Sequence, residues 1–468
     1  MWSTVLRSRW VFGIAVAGFI AWLIFSIVEF READPRPPGG VEDILALRDR
    51  SDVNVLFILV DTLRAHRLSS YGYERKTSPM FDYLASNGVL FRRHVAQSSW
   101  TKCSMASLWT GLYPIRTGVL RSQHAIPTEA TMPAEILRDA GFRTAGIWRN
   151  GWVAPNFGFA EGFEVYDRPE TRPPSPRVRQ ENPNATLEGT DEEAVEAAQE
   201  FLRVHGSERW FLYLHLMDVH QYLYDEKSAV FGSTYSDVYD NSILHTDNIV
   251  GVLLAQLADM GQLDRTLIVF TSDHGEAFNE RGFEGHARSV DRETTEVPFS
   301  ISFPFKLQPG LEIQSRTAGV DVWPTILDLL GLPPLPDTDG RSLLPEILAA
   351  AGHGEAPAPV PVFSHIEHGW GQPVDLEMPI VSVVDESHRF TATSTGEGGV
   401  QEELFEGSTD PEEVRNILAD QTEVADEMRT LVKDYLASPP PPWGVAAPEI
   451  KLDEMELNQL RALGYAVD

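Results

Sequence analysis

The chain of 468 residues has a single cysteine, Cys103. One thiol excludes an intrachain disulfide framework and a zinc site built from several cysteines. Basic residues are also scarce. The 38 Lys and Arg stand against 69 Asp and Glu, a formal net charge of −31. An anion of this size repels phosphate backbones and gains nothing from counterion release, which excludes nucleic acid as the expected partner. A small anionic ligand stays admissible, because a metal or a few local cations reverse the field inside one pocket. No internal repeat is present. Hydrophobic residues at 43% and aromatics at 10% suffice for a large core and argue against global disorder.

Long apolar runs are rare too, with one clear case, Trp10–Val28. At about 1.5 Å per residue it spans roughly 28 Å, close to the hydrocarbon thickness of a bilayer. Arg7 and Arg9 precede it, and the segment after it mixes acids with arginines. The expectation is an N-in membrane anchor over residues 1–30, with the remainder outside the cytoplasm, periplasmic or extracellular. A cleaved signal peptide is the competing reading, but no small-x-small site follows the run.

The PRPPGG stretch suggests a linker over residues 31–50. Beyond it, short apolar runs alternate with helical patterns. This predicts an α/β fold, a large mainly parallel sheet flanked by helices, over residues 51–378. The clearest strands are Val53–Val60, Phe142–Trp148, Trp210–His215 and Leu267–Thr271, apolar enough to be buried on both faces. Helices are expected over Glu192–Val204 and Ser242–Met260, and loops over Arg168–Gly189 and Gln221–Asp240. From residue 379 the pattern changes to short antiparallel strands (Ile380–Val384, Arg389–Thr393, Glu402–Phe405) and a helix near Pro411–Ala437, a smaller α+β subdomain reaching residue 468.

Polar residues cluster where the strands end. Val53–Val60 runs into Asp61-Thr62, and Leu267–Thr271 runs into Ser272-Asp273-His274-Gly275. Ligands in open α/β sheets sit at the carboxyl ends of strands, so these carboxylates and His274 can converge on one metal. Gly275 would allow a sharp turn. Ser98–Leu108 reads as a helix N-terminus, with Thr101 at or near the cap, offering N–H groups and a positive dipole end to an anion. A hydroxyl there that meets a metal can ionise and act as a nucleophile, although an ordinary cap has the same sequence. Lys102 adds positive charge if it turns inward and is otherwise a solvated lysine. His220 lies further into its loop than His215, which reads as a packed or supporting histidine. His286, in the Gly-flanked Gly282–Arg288 segment, is a further pocket candidate.

Together these elements resemble the sulfatase family of the alkaline phosphatase superfamily. The match runs through NVLFILVDTLR (54–64), YGY (71–73), ASLWTGLYP (106–114), FLYLHLMDVH (211–220), TLIVFTSDHGEAF (266–278) and EGH (284–286). It continues through DVWPTILDLLGLP (321–333), DGRSLLP (339–345) and ELFEGSTDPEEVRN (403–416). The resemblance implies Asp61, Asp273 and His274 as metal ligands. It implies His220 and His286 as contacts to the substrate anion or leaving oxygen, and Asn150 as a pocket residue. His245 and Asp247 read as structural.

The nucleophile departs from the family pattern. Typical members carry C-x-P-x-R followed by Ala-Ser-Leu, with the cysteine oxidised to formylglycine. Reading Cys103 as that cysteine puts Met105 and Ser107 at the proline and arginine positions. Anchoring on Ala106-Ser107-Leu108 moves the nucleophile to Thr101, so no formylglycine is expected. Thr62 replaces a second Asp of calcium-type members, and His66 replaces another Asp. The remaining set, Asp61, Thr101, Asp273 and His274, suits zinc or manganese, with calcium still admissible. Asp218 and His220, with His286, form a candidate second metal set. The resemblance implies a hydrolase for a small sulfate or phosphate ester on a glycan, lipid or aryl group. A membrane-anchored phospho-head-group transferase and a catalytically degenerate binding protein are the alternatives.

Overall fold

A computed structural model describes residues 34–169, 189–367, 379–394 and 399–451. The described residues from Pro37 onward form one compact unit. The expected anchor lies outside the described residues. Among the described residues, no helix is long and apolar enough to cross a membrane.

The central sheet has eight strands: β1 Asn54–Val60, β2 Val89–Val95, β3 Arg143–Ile147, β4 Val165–Asp167, β5 Trp210–Leu216, β6 Thr266–Thr271, β9 Glu296–Ser302 and β10 Leu311–Ala318. Their order is β10-β2-β9-β6-β1-β5-β3-β4. Only β9 runs antiparallel to its neighbours, so the expected mainly parallel sheet is present. The four strands predicted from apolar runs are β1, β3, β5 and β6, which lie side by side in the middle. Every residue of β1, β5 and β6 is buried, which is why their sequences do not alternate with polar residues.

Successive side chains on β1 serve opposite faces. Val55, Phe57 and Leu59 join a cluster with Trp109 and Trp323, where Trp323 stacks 5.2 Å from Phe57. Leu56, Ile58 and Val60 join the helices Asp191–His205 and Tyr235–Asp259 through Ala194, Ala198, Leu202, Ile243, Val250 and Leu253. Truncating a fully buried aromatic such as Phe57 to Ala costs about 3–5 kcal/mol, because packing and transfer energies are both lost.

Several boundaries differ from expectation. Residues 31–50 are not all linker. Val41–Ala46 is a helix and Leu47–Asp49 a 3-10 turn, with Ile44 and Leu47 buried in the core. The helix expected from Ser242 begins at Tyr235, where Thr234 and Asp237 form a capping box. The small antiparallel sheet is β11 Val362–Ile366, β12 Ile380–Val384, β13 His388–Ser394 and β14 Val400–Glu406. The boundary expected at residue 379 therefore falls inside this sheet. The helix expected near Pro411–Ala437 is confined to Thr422–Leu436, which packs Met428 and Val432 on Val381, Val383 and Phe390. A two-stranded hairpin, β7 Ala277–Phe278 and β8 Glu284–Gly285, follows β6.

Candidate active site

The carboxyl ends of adjacent strands deliver the site. Asp61 follows β1, Asp273-His274 follows β6, Asn150 follows β3 and His215 is the penultimate residue of β5. Thr101 is the first residue of the helix Thr101–Thr110, just beyond β2, with Trp100 as its cap residue. Asp61, Thr101, Asn150, His215 and His274 are all fully buried, and Asp273 nearly so.

Each carboxylate spends one oxygen on the protein and leaves the other free. Asp61 Oδ2 accepts from Asn150 Nδ2 at 2.6 Å and from His215 Nε2 at 3.0 Å. Asp273 Oδ1 accepts from the backbone N–H of Thr62 at 3.2 Å and of His274 at 2.9 Å. Thr62, held at φ +60 just after β1, brings that N–H across. Asp61 Oδ1 and Asp273 Oδ2 are buried without a partner. His274 Nδ1 donates to the Gly275 carbonyl at 3.0 Å, which leaves the Nε2 lone pair facing inward. Nε2 lies 3.3 Å from Asp273 Oδ2, 4.0 Å from Asp61 Oδ1 and 3.2 Å from Thr101 Oγ1. Asn150 Nδ2 also reaches Thr101 Oγ1 at 3.2 Å, and its Oδ1 accepts from Trp152 N.

Two orphaned buried oxygens, one free imidazole nitrogen and a hydroxyl form a donor set that fits a divalent cation, since unpartnered buried carboxylate oxygens are otherwise costly. Asp61, His215 and Asp273 also each offer an atom within 4.8 Å of the others. Of the two roles expected for His215, packed or supporting, the structure shows the supporting one, on Asp61. The Tyr213 hydroxyl meets its Nδ1 at 2.6 Å and fixes the ring, so Nε2–H donates to Asp61. Burial raises the Asp61 carboxyl, but the His215 hydrogen bond and the nearby His220 and His274 outweigh it and hold it below the usual range. Burial and then the Asp61 charge push Asp273 up.

His220 and His286 border this centre. Their rings are 5.0 Å apart, and His286 lies 4.5 Å from His274. His220 Nε2 is buried with no partner. Burial lowers His220 to about 4 and holds His286 well below the ordinary histidine range. Glu276, not singled out from sequence, accepts from His286 Nδ1 at 3.1 Å, and burial raises it to about 7. Its place three residues after Asp273 was the available signal.

Other expectations are corrected. Lys102 is buried, not solvated. Its ammonium donates to the Ser122 carbonyl and lies 3.8 Å from the Phe157 ring centroid and 4.9 Å from that of Trp152, so its contacts are not with the Thr101 partners. His66 lies against Glu296 at 2.8 Å and Arg292 at 3.0 Å, so it does not soften the metal centre. Asp218 forms a 2.6 Å ion pair with buried Arg149 and accepts from Asp191 N, which ties it up against a second metal. Gly275 has no left-handed φ. It is needed because a Cβ there would stand 2.2 Å from the Glu293 carbonyl. Asp247 caps the helix Pro79–Ser86 through Met80 N and Phe81 N, a structural role as expected.

The family model "Sulfatase" matches residues 53–332, more than half of the chain. The chain belongs to the sulfatase family. It is thereby a member of the alkaline phosphatase superfamily and a hydrolase of the sulfate-ester class. Arylsulfatase K of Danio rerio is 23% identical over 82% of this chain and 84% of its own. A solved 2-O GAG sulfatase superposes with TM-score 0.69 at 20% identity, covering 82% of this chain and 92% of its own. The phosphonate monoester hydrolase of Agrobacterium radiobacter superposes with TM-score 0.63 at 20% identity, covering 82% and 95%. In this sulfatase-family chain the lone thiol faces elsewhere. Cys103 Sγ is 4.0 Å from the His365 carbonyl, and burial raises it to about 12, leaving it a neutral thiol.

Proposed function

We propose that the chain is a metal-dependent hydrolase that attacks a sulfate or phosphate ester with Thr101. The observation that carries this reading is the company of Thr101 Oγ1. It lies within hydrogen-bond reach of Asn150 Nδ2 and of His274 Nε2, which itself stands 3.3 Å from Asp273 Oδ2 and 4.0 Å from Asp61 Oδ1, whereas Cys103 Sγ contacts His365. Asp61 Oδ1, Asp273 Oδ2, His274 Nε2 and Thr101 Oγ1 would hold the cation, zinc or manganese ahead of calcium given one imidazole among the donors. When bound, the ion supplies positive charge that lowers the pKa of the Thr101 hydroxyl and offsets the ester's anionic oxygens.

The chain's own groups do the rest. His215 and Asn150 hold Asp61 in orientation. Asn150 also donates to the Thr101 oxygen, and so stabilises it as its proton is lost to solvent. Attack forms the bond from Oγ1 to sulfur or phosphorus and breaks the bond to the leaving oxygen. An anionic ester entering between His220 and His286 favours their protonated forms, which provides the proton that the leaving oxygen takes up. Water then attacks the same sulfur or phosphorus and frees Thr101. Threonine lacks the second hydroxyl by which a formylglycine hydrate eliminates sulfate. This difference makes phosphoryl esters as reasonable as sulfuryl esters, and transfer to an acceptor alcohol the second reading.

A sulfated glycan is the first substrate class to test, since a structural neighbour is a 2-O GAG sulfatase. Lipid and aryl esters follow. The apolar Trp10–Val28 run supports an anchored protein with this domain outside the cytoplasm. The test is a panel of para-nitrophenyl sulfate, phosphate and phosphodiesters with zinc or manganese. Thr101→Ala abolishes turnover and Cys103→Ala keeps it; the opposite pattern sinks the reading. Free acid as product marks a hydrolase and a modified acceptor marks a transferase. Silence across the panel, with no metal bound, favours a degenerate binding protein.

A further inference from the structure

The tail segment ELFEGSTDPEEVRN, residues 403–416, takes no part in this chemistry. We infer that it is the brace that sets the catalytic turn Asp273–Glu276 and His286 in place, with Glu413 as a positioning residue acting through Arg281 and Arg389. The inference rests on the reading of Asp273 and His274 as site residues.

Three links make the brace. The turn itself is stitched to the segment 293–296. Gly275 N donates to the Thr294 carbonyl at 2.9 Å and Glu276 N to the Glu293 carbonyl at 3.1 Å, with the missing Gly275 side chain allowing the approach. That segment is gripped by two arginines. Arg281 Nε donates to Glu293 Oε1 at 2.7 Å, and Arg389 of β13 donates to Thr295 Oγ1 and Glu296 Oε1, both at 3.3 Å. Both arginines end on Glu413. Arg389 Nε meets its Oε1 at 2.7 Å, while Arg281 reaches its Oε2 at 3.1 Å and its carbonyl at 3.2 Å.

Geometry separates this from generic packing. Arg281 lies in the loop joining β7 to β8, and β8 leads directly into His286. One carboxylate thus fixes both the turn carrying Asp273-His274 and the hairpin carrying His286. Glu413 is itself 5% exposed and held at φ +52, a backbone conformation that only surrounding contacts maintain. Removing it takes one carboxylate from each of two guanidinium groups, leaving Arg281 on Glu293 and Arg389 on Glu296, and cuts the tie between the hairpin loop and β13, so the neighbouring loops can shift. A displacement of about 1 Å at a reacting group costs on the order of a hundredfold in rate.

The test uses the full chain with zinc and the para-nitrophenyl ester it turns over, together with a zinc titration. Glu413→Ala and Arg281→Ala are expected to lower kcat about ten- to a hundredfold, leave KM within about twofold, and weaken zinc binding about tenfold. The double variant should be no worse than the poorer single one, because both act through one network. Glu413→Gln, which keeps the shape but one acceptor only and turns an amide N–H on the other guanidinium, should fall between Glu413→Ala and the wild type. Met428→Ala destabilises the same subdomain from its core, away from the brace, and should keep kcat and zinc affinity. The inference is overturned if Glu413→Ala keeps both kcat and zinc affinity. It is also overturned if Met428→Ala, at equal loss of Tm, lowers them as much. Activity surviving Thr101→Ala and Asp273→Asn would instead overturn the reading of the site.

Discussion

Asn150 offers the sharpest test of the site's electrostatics. Its Nδ2 donates at 2.6 Å to Asp61 Oδ2 and at 3.2 Å to Thr101 Oγ1, while its Oδ1 accepts from Trp152 N at 2.8 Å. Asn150→Ala removes a hydrogen bond to a carboxylate, worth about 1.5–3 kcal/mol, and one to the attacking oxygen, worth about 0.5–1.5 kcal/mol. The second strengthens as negative charge develops on Thr101, so most of it appears in the transition state. The bond to the charged Thr101 oxygen, about 1.5–3 kcal/mol, lowers kcat roughly 10- to 150-fold at about 1.4 kcal/mol per factor of ten, while loss of the Asp61 bond shows in metal affinity. Asn150→Asp keeps the shape but sets a second carboxylate against Asp61, so it should be worse than Ala and should also weaken metal binding. The assay is steady-state turnover of a para-nitrophenyl ester at saturating zinc, with metal affinity measured in parallel. Asn150→Ala within about threefold of the wild type, or Asn150→Asp more active than Asn150→Ala, refutes the reasoning.

Gly275→Ala should abolish both activity and metal binding, because the new Cβ would stand 2.2 Å from the Glu293 carbonyl; activity above about a tenth of wild type in a turnover assay contradicts this. Zinc at 100 times its Kd should stabilise the fold by about 2.7 kcal/mol, read as a rise in Tm that a chelator reverses and that Asp61→Asn removes. Burial raises buried Asp321 to about 6 against 3.8 unfolded, although it accepts from Ala318 N and Arg341 N. A raised folded pKa means that its stabilising contribution is full below pH 3.8 and lost as pH climbs through about 6. The loss is about 3 kcal/mol, so Asp321→Asn should flatten the denaturant-measured stability curve across that window.

The candidate site residues that sequence could reach are those whose position is set by their own strand. Asp61, Asp273-His274 and Asn150 each follow a buried apolar run, and that local arrangement brings them to one end of the sheet. Helix bounds were less legible. The start at Tyr235 depends on a Thr234–Asp237 cap inside a stretch without apolar period. The edge and outer strands β2, β4, β9 and β10 were not marked, since they are short, or mix charges and a proline into their runs.

The sequence by itself determined the family, the central strands and the register that makes Thr101, not Cys103, the residue at the helix start. The strands follow from local pattern, because burial on both faces demands apolar runs, whereas the family and the Thr101 register rest on the order and spacing of several motifs. Tertiary structure decided what touches what. It turned His215 toward Asp61, sent Lys102 into an aromatic cage and His66 to Glu296, and joined Glu413 to Arg281 in the loop between β7 and β8. These pairings span tens to hundreds of residues, and no local propensity encodes which of several buried polar groups will meet. That is settled only when each one must find a partner inside the folded core.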